Sequence, residues 1–258
     1  MGSTLNKEFL IEVAKGNVAG HSIVNKFGFN DSVGSTLAPI TDGAVYQTPT
    51  SAIALEILSS DANDTSAGSG ARTVTIEGLD SNFDEQSETI TMNGTSVVAA
   101  ASSYTRIFRM YVATSGTYAT SMAGSHAGAI TLRTASAGAT WATLALSVSS
   151  FPVGQTEIGI YTIPSGYTGY LLSKHISIES TKVPNVLWFR REGADDVSAP
   201  FSPMRLFERH HGTAAEVTYS PPGPAITLPE KTDIGAMGYV ATGTAAVAVE
   251  FQILLVAN

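Results

Sequence analysis

The C-terminal stretch Ala245-Ala246-Val247-Ala248-Val249-Glu250-Phe251-Gln252-Ile253-Leu254-Leu255-Val256-Ala257 decides the fold. Val247, Val249, Phe251, Ile253 and Leu255 fall at alternate positions, while Ala246, Ala248, Glu250 and Gln252 put small or polar side chains between them. A period of two sends five successive apolar side chains to one face of an extended strand. A strand of that length crosses a whole sandwich. As a helix the run is too short and, with Glu250 and Gln252, too polar to span a bilayer.

The same period recurs upstream. Thr73-Val74-Thr75-Ile76-Glu77 alternates, Arg106 to Val112 puts Phe108, Met110 and Val112 on one face, and Lys174 to Glu179 repeats the pattern. Turn signals stand between such runs: Asn93-Gly94, Ser115-Gly116, Pro164-Ser165-Gly166 and Pro221-Pro222-Gly223-Pro224. Asn93-Gly94, between Glu88–Thr91 and Ser96–Val98, reads as a hairpin because both residues tolerate positive φ. Only Asn6–Lys15 offers a helix, with Asn6 as cap and Gly16 as stop, and Phe9–Val13 reads equally well as a strand. We expect an all-β chain with minimal helix and a β-sandwich or jelly-roll architecture. The Ser/Gly/Ala/Thr-rich stretch Thr114–Thr140 separates two sandwich halves in this reading, an N-terminal β domain over 1–120 and a C-terminal jelly-roll-like domain over 121–258. A single large sandwich is the second choice. Ser60–Ala71, also small and polar, is expected as an exposed loop.

Composition excludes several chemistries. Among 258 residues there is no Cys, so disulfides, Fe–S clusters, Cys-ligated zinc and a Cys nucleophile are out. With 14 Lys and Arg against 22 Asp and Glu, the net charge of −8 disfavours a surface that tracks phosphates, so no nucleic-acid partner is expected. Hydrophobic residues make up 43%, too many for a disordered chain. Charged residues are only 14%, against roughly 25% in an ordinary soluble domain. Ala, Ser, Thr and Gly together fill 114 positions, a proportion that suits short, closely packed strands. No signal peptide or membrane span is visible in the chain given, so synthesis in a cytoplasm is expected. The sequons at Asn30, Asn63 and Asn93 are read as turn chemistry.

Candidate chemical sites are few. His210-His211 points to opposite faces of a strand and cannot chelate one metal from there. Asp80-Ser81-Asn82-Phe83-Asp84 has the alternate oxygens of a calcium loop, but Glu85 stands where the turn wants Gly and Thr91 where a bidentate Glu belongs. An acidic inter-strand loop is the preferred reading. Ser125-His126 lies in no Gly-x-Ser-x-Gly frame, and adjacent residues rarely bring hydroxyl and imidazole into hydrogen-bond geometry. Asp195-Asp196 offers a glycosidase-type carboxylate pair of a kind found in any β protein. No catalytic residue, metal or cofactor is expected. Trp188, Phe189, Arg190, Arg191, Arg205, Phe207 and Arg209 mix arginine with aromatics, as interface cores and nucleic-acid grooves both do. Glu192, Asp195, Asp196 and Glu208 largely cancel that charge, which favours a protein interface, with a solvated strand face as the alternative.

Several blocks resemble a family of tailed-bacteriophage virion structural proteins, head- or decoration-type β proteins. They are Glu12–Val18 with Gly20-His21-Ser22 and Lys26-Phe27-Gly28, then Asp64–Gly68, Gly70–Val74 and Gly78-Leu79-Asp80. Ser87-Glu88-Thr89, Asn93-Gly94-Thr95, Arg106 and Arg109–Val112 follow, then Tyr161–Pro164, Leu228–Ile234 and Phe251–Val256. Thr41-Asp42-Gly43-Ala44 departs from the Trp-Asp-Gly-Gly of the relatives. The resemblance implies a virion component rather than an enzyme. Physical reasoning then favours a capsid decoration or cement protein, since such a protein needs a compact β fold, no redox-sensitive thiol and a self-associating surface. The expectation is a homo-oligomer, a trimer first, on the major capsid protein lattice. The alternative is a tail or head-fibre component that contacts host surface glycans. A virion-associated glycan hydrolase is a third class, and it needs its carboxylates to converge.

Overall fold

The computed structural model describes residues 3–118, 125–146, 154–179, 182–212, 216–219 and 225–258. Among the described residues there is one α-helix, α1 (Ser3–Ala14), and a single 3-10 turn over Asp42–Ala44. Strands follow in order: β1 (His21–Val33), β2 (Ala38–Pro39), β3 (Ile53–Ser59), β4 (Ala71–Leu79), β5 (Glu85–Thr91), β6 (Val98–Tyr104), β7 (Arg106–Ser115), β8 (Ile130–Thr134) and β9 (Thr140–Leu144). They continue as β10 (Ile160–Thr162), β11 (Tyr167–Glu179), β12 (Asn185–Arg191), β13 (Arg205–His211), β14 (Glu216–Tyr219), β15 (Ile226–Leu228), β16 (Asp233–Tyr239) and β17 (Ala245–Ala257). The chain is all-β, and its strand pairs are antiparallel. The ambiguous N-terminal segment is helical and ends at Gly16, whose φ of 76° is the conformation glycine adopts at no steric cost.

Two compact units form. Unit 1 comprises 1–27, 32–37 and 159–258; unit 2 comprises 28–31 and 38–158. The expected division at 120/121 is therefore displaced. Strands β8 and β9, beyond that point, pair onto β3 through Leu55↔Thr134, Ile57↔Leu132 and Ile130↔Leu144. Ladder hydrogen bonds and shared core decide the boundary, and loop composition near Thr114–Thr140 does not.

Unit 2 contains the sheet β6-β3-β8-β9 and the sheet β5-β4-β7. Leu55, Ile57, Val74, Ile76, Met110, Ile130 and Leu132 are buried in it. The chain crosses between these sheets at Asn93-Gly94, so the expected hairpin there is not formed. β5 pairs β4 and β6 pairs β3. Gly94 does take a positive φ of 59°, but its amide donates to the Asp64 carbonyl and its carbonyl accepts from the Ser59 amide. The real hairpin is β4–β5, closed by the Asp80 carboxylate, which accepts from the amides of Asn82 (2.7 Å) and Asp84 (3.0 Å). That role occupies the carboxylate of the calcium-like loop, and Phe83 turns inward beneath the guanidinium of Arg106.

Unit 1 contains β1-β17-β11-β14, with β15 also on β11, and the row β10-β16-β12-β13. β11 and β17 run antiparallel from Tyr167↔Ala257 to Glu179↔Ala246. All five alternate residues of β17 are buried, as the period requires, and Glu250 and Gln252 are exposed. Trp188 of β12 meets Phe251 of β17 edge-on at 5.7 Å, a contact between residues of the two sheets. No described helix is long and apolar enough to cross a membrane.

Candidate interaction surface

Strands β12 and β13 carry all seven sequence-selected residues, but they do not share one surface. In β12 alternation aims Trp188 at the core, where it is fully buried, and its neighbour Phe189 is 3% exposed. Trp188 also packs on Phe207 at 6.4 Å and lies under the Lys174 ammonium. Lys174, itself buried, pairs with Glu208. Trp188 and Phe189 are thus core residues, a correction to the interface expected at those two positions. Their aromatic character reports a packed centre.

The arginines stay outside and are held differently. Arg209 donates through both Nε and Nη2 to Asn185 Oδ1, which also receives His211 Nδ1 at 3.1 Å. Arg191 donates to the Ser202 carbonyl, and Arg190 faces Glu192 at 3.5 Å. Arg205 is exposed and has no side-chain partner among the described residues. Beside these arginines the structure shows what the sequence reading missed: Val197, Phe201, Met204 and Leu206 are 46%, 58%, 46% and 56% exposed. Val197–Met204 contains no charged residue. Large apolar residues in a Pro-punctuated loop between strands were the available signal. β13 is also the end strand of its row, bonded only to β12 among the described residues.

Other chemistry is arranged as structure. Asp64, fully buried, accepts from Ser59 Oγ (2.5 Å) and from the amides of Ala71 (2.7 Å), Ala127 (2.8 Å) and Gly128 (2.9 Å). The Ser60–Ala71 segment is therefore wrapped around a buried carboxylate rather than being simply an exposed loop. A Cβ on Gly70 would lie 2.1 Å from Asp64 Oδ1, so only glycine fits there. Ser125 Oγ stands 2.9 Å from His126 Nδ1, contrary to the expectation for adjacent residues. Burial pushes the His126 imidazole below its ordinary pKa, opposed by the Asp64 charge. Asp64 spends its oxygens on four donors.

Asp195 and Asp196 are each engaged in a structural contact. Asp195 binds Lys231 at 2.8 Å, and Asp196 caps the Ser198 amide. The structure instead brings Asp42 to Glu157. Residues 154–158 run along β7, with Thr156 N donating to the Met110 carbonyl, and the Glu157 carbonyl accepts from Asp42 N at 2.9 Å. Burial raises both carboxyls above their ordinary values. Asp31 adds to the shift at Asp42, and Asp42 to that at Glu157. Their separation of 115 positions hid this pair from the sequence. Among the described residues no group of three or more His, Asp or Glu is placed to hold a metal ion.

No family model matches the chain, and no curated protein matches it. Structural comparison finds T=1 particles derived from infectious bursal virus at 12% identity, covering 93% of this chain and 79% of that one, with a TM-score of 0.12. A mutant VP2 protein of infectious bursal disease virus gives 11% identity, the same coverages and a TM-score of 0.12. Likeness at that level carries no conclusion about fold or function.

Proposed function

We propose that this chain is a tailed-bacteriophage virion structural protein, a decoration or cement protein that binds and stabilises the major capsid protein lattice as a homo-oligomer. It is synthesised in the host cytoplasm and ends in the virion. The observation that carries this reading is the apolar surface around β13 on units whose polar interior is tied together. Exposed apolar area rimmed by arginines and carboxylates is the chemistry of protein docking. Buried hubs such as Asp64 suit a protein that must keep its shape outside the cell. The resemblance of its sequence blocks to phage virion proteins suggests the biological setting. We also infer that each unit is a two-sheet sandwich, a reading supported in unit 1 by the Trp188–Phe251 contact.

One observation favours a second reading, a tail or head-fibre component that contacts host glycans. A groove of about 330 Å³ on unit 1 is lined by Asn25, Ser173, His175, Glu250 and Gln252, among others. Such hydrogen-bonding groups are suited to sugar hydroxyls. Glycan-array binding separates the readings: binding abolished by Glu250→Ala would favour the fibre. Purified particles with and without the protein test the first reading, which predicts lower resistance to heat and osmotic shock without it.

A further inference from the structure

The sheet that contains β1, β17 and β11 carries a regular array of side chains on its outer side. Register sets Glu250 opposite His175 and Gln252 opposite Ser173. Alternation turns the residues between them, Phe251 and Lys174, to the buried side. On β1 the same rule buries Lys26, while Asn25 and Phe27 line the groove of about 330 Å³ described above. A second groove of about 560 Å³ adjoins it, walled by Leu10, Ile11 and Ala14 of α1, Ile23 of β1 and Leu172 of β11. Asn25 and Gln252 line both grooves. The combined site is polar at one end and apolar at the other, with two side-chain amides at the junction.

The junction has free hydrogen-bonding capacity. Ser173 Oγ donates to Gln252 Oε1 at 3.3 Å, which leaves Gln252 Nε2 as a donor. Asn25 is exposed and has no side-chain partner among the described residues, so it offers both a donor and an acceptor. Charge narrows the choice of ligand. Lys26 and Lys174 are buried and engaged within the protein, Lys174 with Glu208. No Lys or Arg that lines either groove is exposed, whereas the Glu250 carboxylate is. An acidic sugar would meet that carboxylate with no exposed cation in the groove to offset it.

We propose that these adjoining grooves bind a neutral glycan through an N-acetylated hexosamine, with its acetamido group at the Asn25–Gln252 junction. The acetamido carbonyl accepts from Gln252 Nε2, and its N–H donates to the Asn25 amide oxygen. Its methyl enters the apolar groove beside Ile23 and Leu172. Ring hydroxyls are left to Glu250 and His175, and Phe27 offers an apolar surface to ring C–H groups. The inference rests on the glycan-contacting reading of the first groove and names the sugar.

Isothermal titration and saturation-transfer difference NMR on the full chain test it, with tri-N-acetylchitotriose, cellotriose and a hyaluronan tetrasaccharide as probes. The first should bind at least ~10-fold more tightly than cellotriose, which has hydroxyls in place of the acetamido groups. It should also bind more tightly than the hyaluronan fragment, which keeps the acetamido group but adds carboxylates. Saturation should be strongest on the acetamido methyl. Gln252→Ala should weaken tri-N-acetylchitotriose at least ~10-fold, and Leu172→Ala should shrink its advantage over cellotriose. Circular dichroism checks the fold of both variants, and the exposed Gln252 keeps the test available if Leu172→Ala is unstable. Equal binding of cellotriose, tighter binding of the hyaluronan fragment, or affinity indifferent to Gln252→Ala overturns the proposal and leaves the glycan reading standing. Binding to none of the three probes, nor to any sugar on a glycan array, overturns both.

Discussion

At the residue scale, buried polar groups fix the loops that sheets alone would leave loose. Asp64 satisfies three amides and a hydroxyl, so Asp64→Ala orphans four donors at once. With about 1–3 kcal/mol for each buried unsatisfied group, the expected loss is at least about 3 kcal/mol, read as a lower urea midpoint. Gly70→Ala, which drives a methyl into that carboxylate, should lower the midpoint as well. Asp42 and Glu157 act in the opposite sense. Each has a folded pKa above its ordinary value, so each ionised group costs stability at neutral pH. That cost vanishes as pH falls through the raised folded value toward the unfolded one. Glu157→Gln should therefore raise the melting temperature at pH 7 and lose the advantage near about pH 4. Neither the Asp64 hub nor the Asp42–Glu157 pair was legible in the sequence. Their partners are joined only after the strands have paired.

At the scale of elements, period and register carried most of the information. The alternate apolar positions of β17 were legible because one buried face imposes a period of two, and the structure buries all five. Phe251→Ala should cost about 3–5 kcal/mol, since it removes the ring that meets Trp188 and leaves a cavity between sheets. Differential scanning calorimetry would show it. Asn93-Gly94 was misread for a related reason: turn chemistry reports local φ, while pairing is settled by distant strands. The sequon residue Asn30 shows the same limit. It lies 5% exposed within β1 and donates to the Pro39 carbonyl, rather than sitting in a turn. The candidate surface was half legible. Interleaved aromatics and arginines marked β12 and β13, but alternation alone would have assigned neighbouring Trp188 and Phe189 to opposite faces. Both are buried because packing covers both sides of β12 there.

At the scale of the whole molecule, the compact units divide by strand pairing, and charge divides with them. Low charge density, read first as a compositional oddity, resolves into an acidic unit 2 and a nearly balanced unit 1 with an apolar surface rimmed by arginines and carboxylates. The thiol-free sequence is consistent with function outside a reducing cytoplasm. The most direct measurement of the virion role is a cryo-EM reconstruction of the intact particle with this chain fitted into its density. A decoration protein predicts density at the contacts between major capsid proteins over the whole shell. Density confined to the tail, or none in the particle, would contradict it.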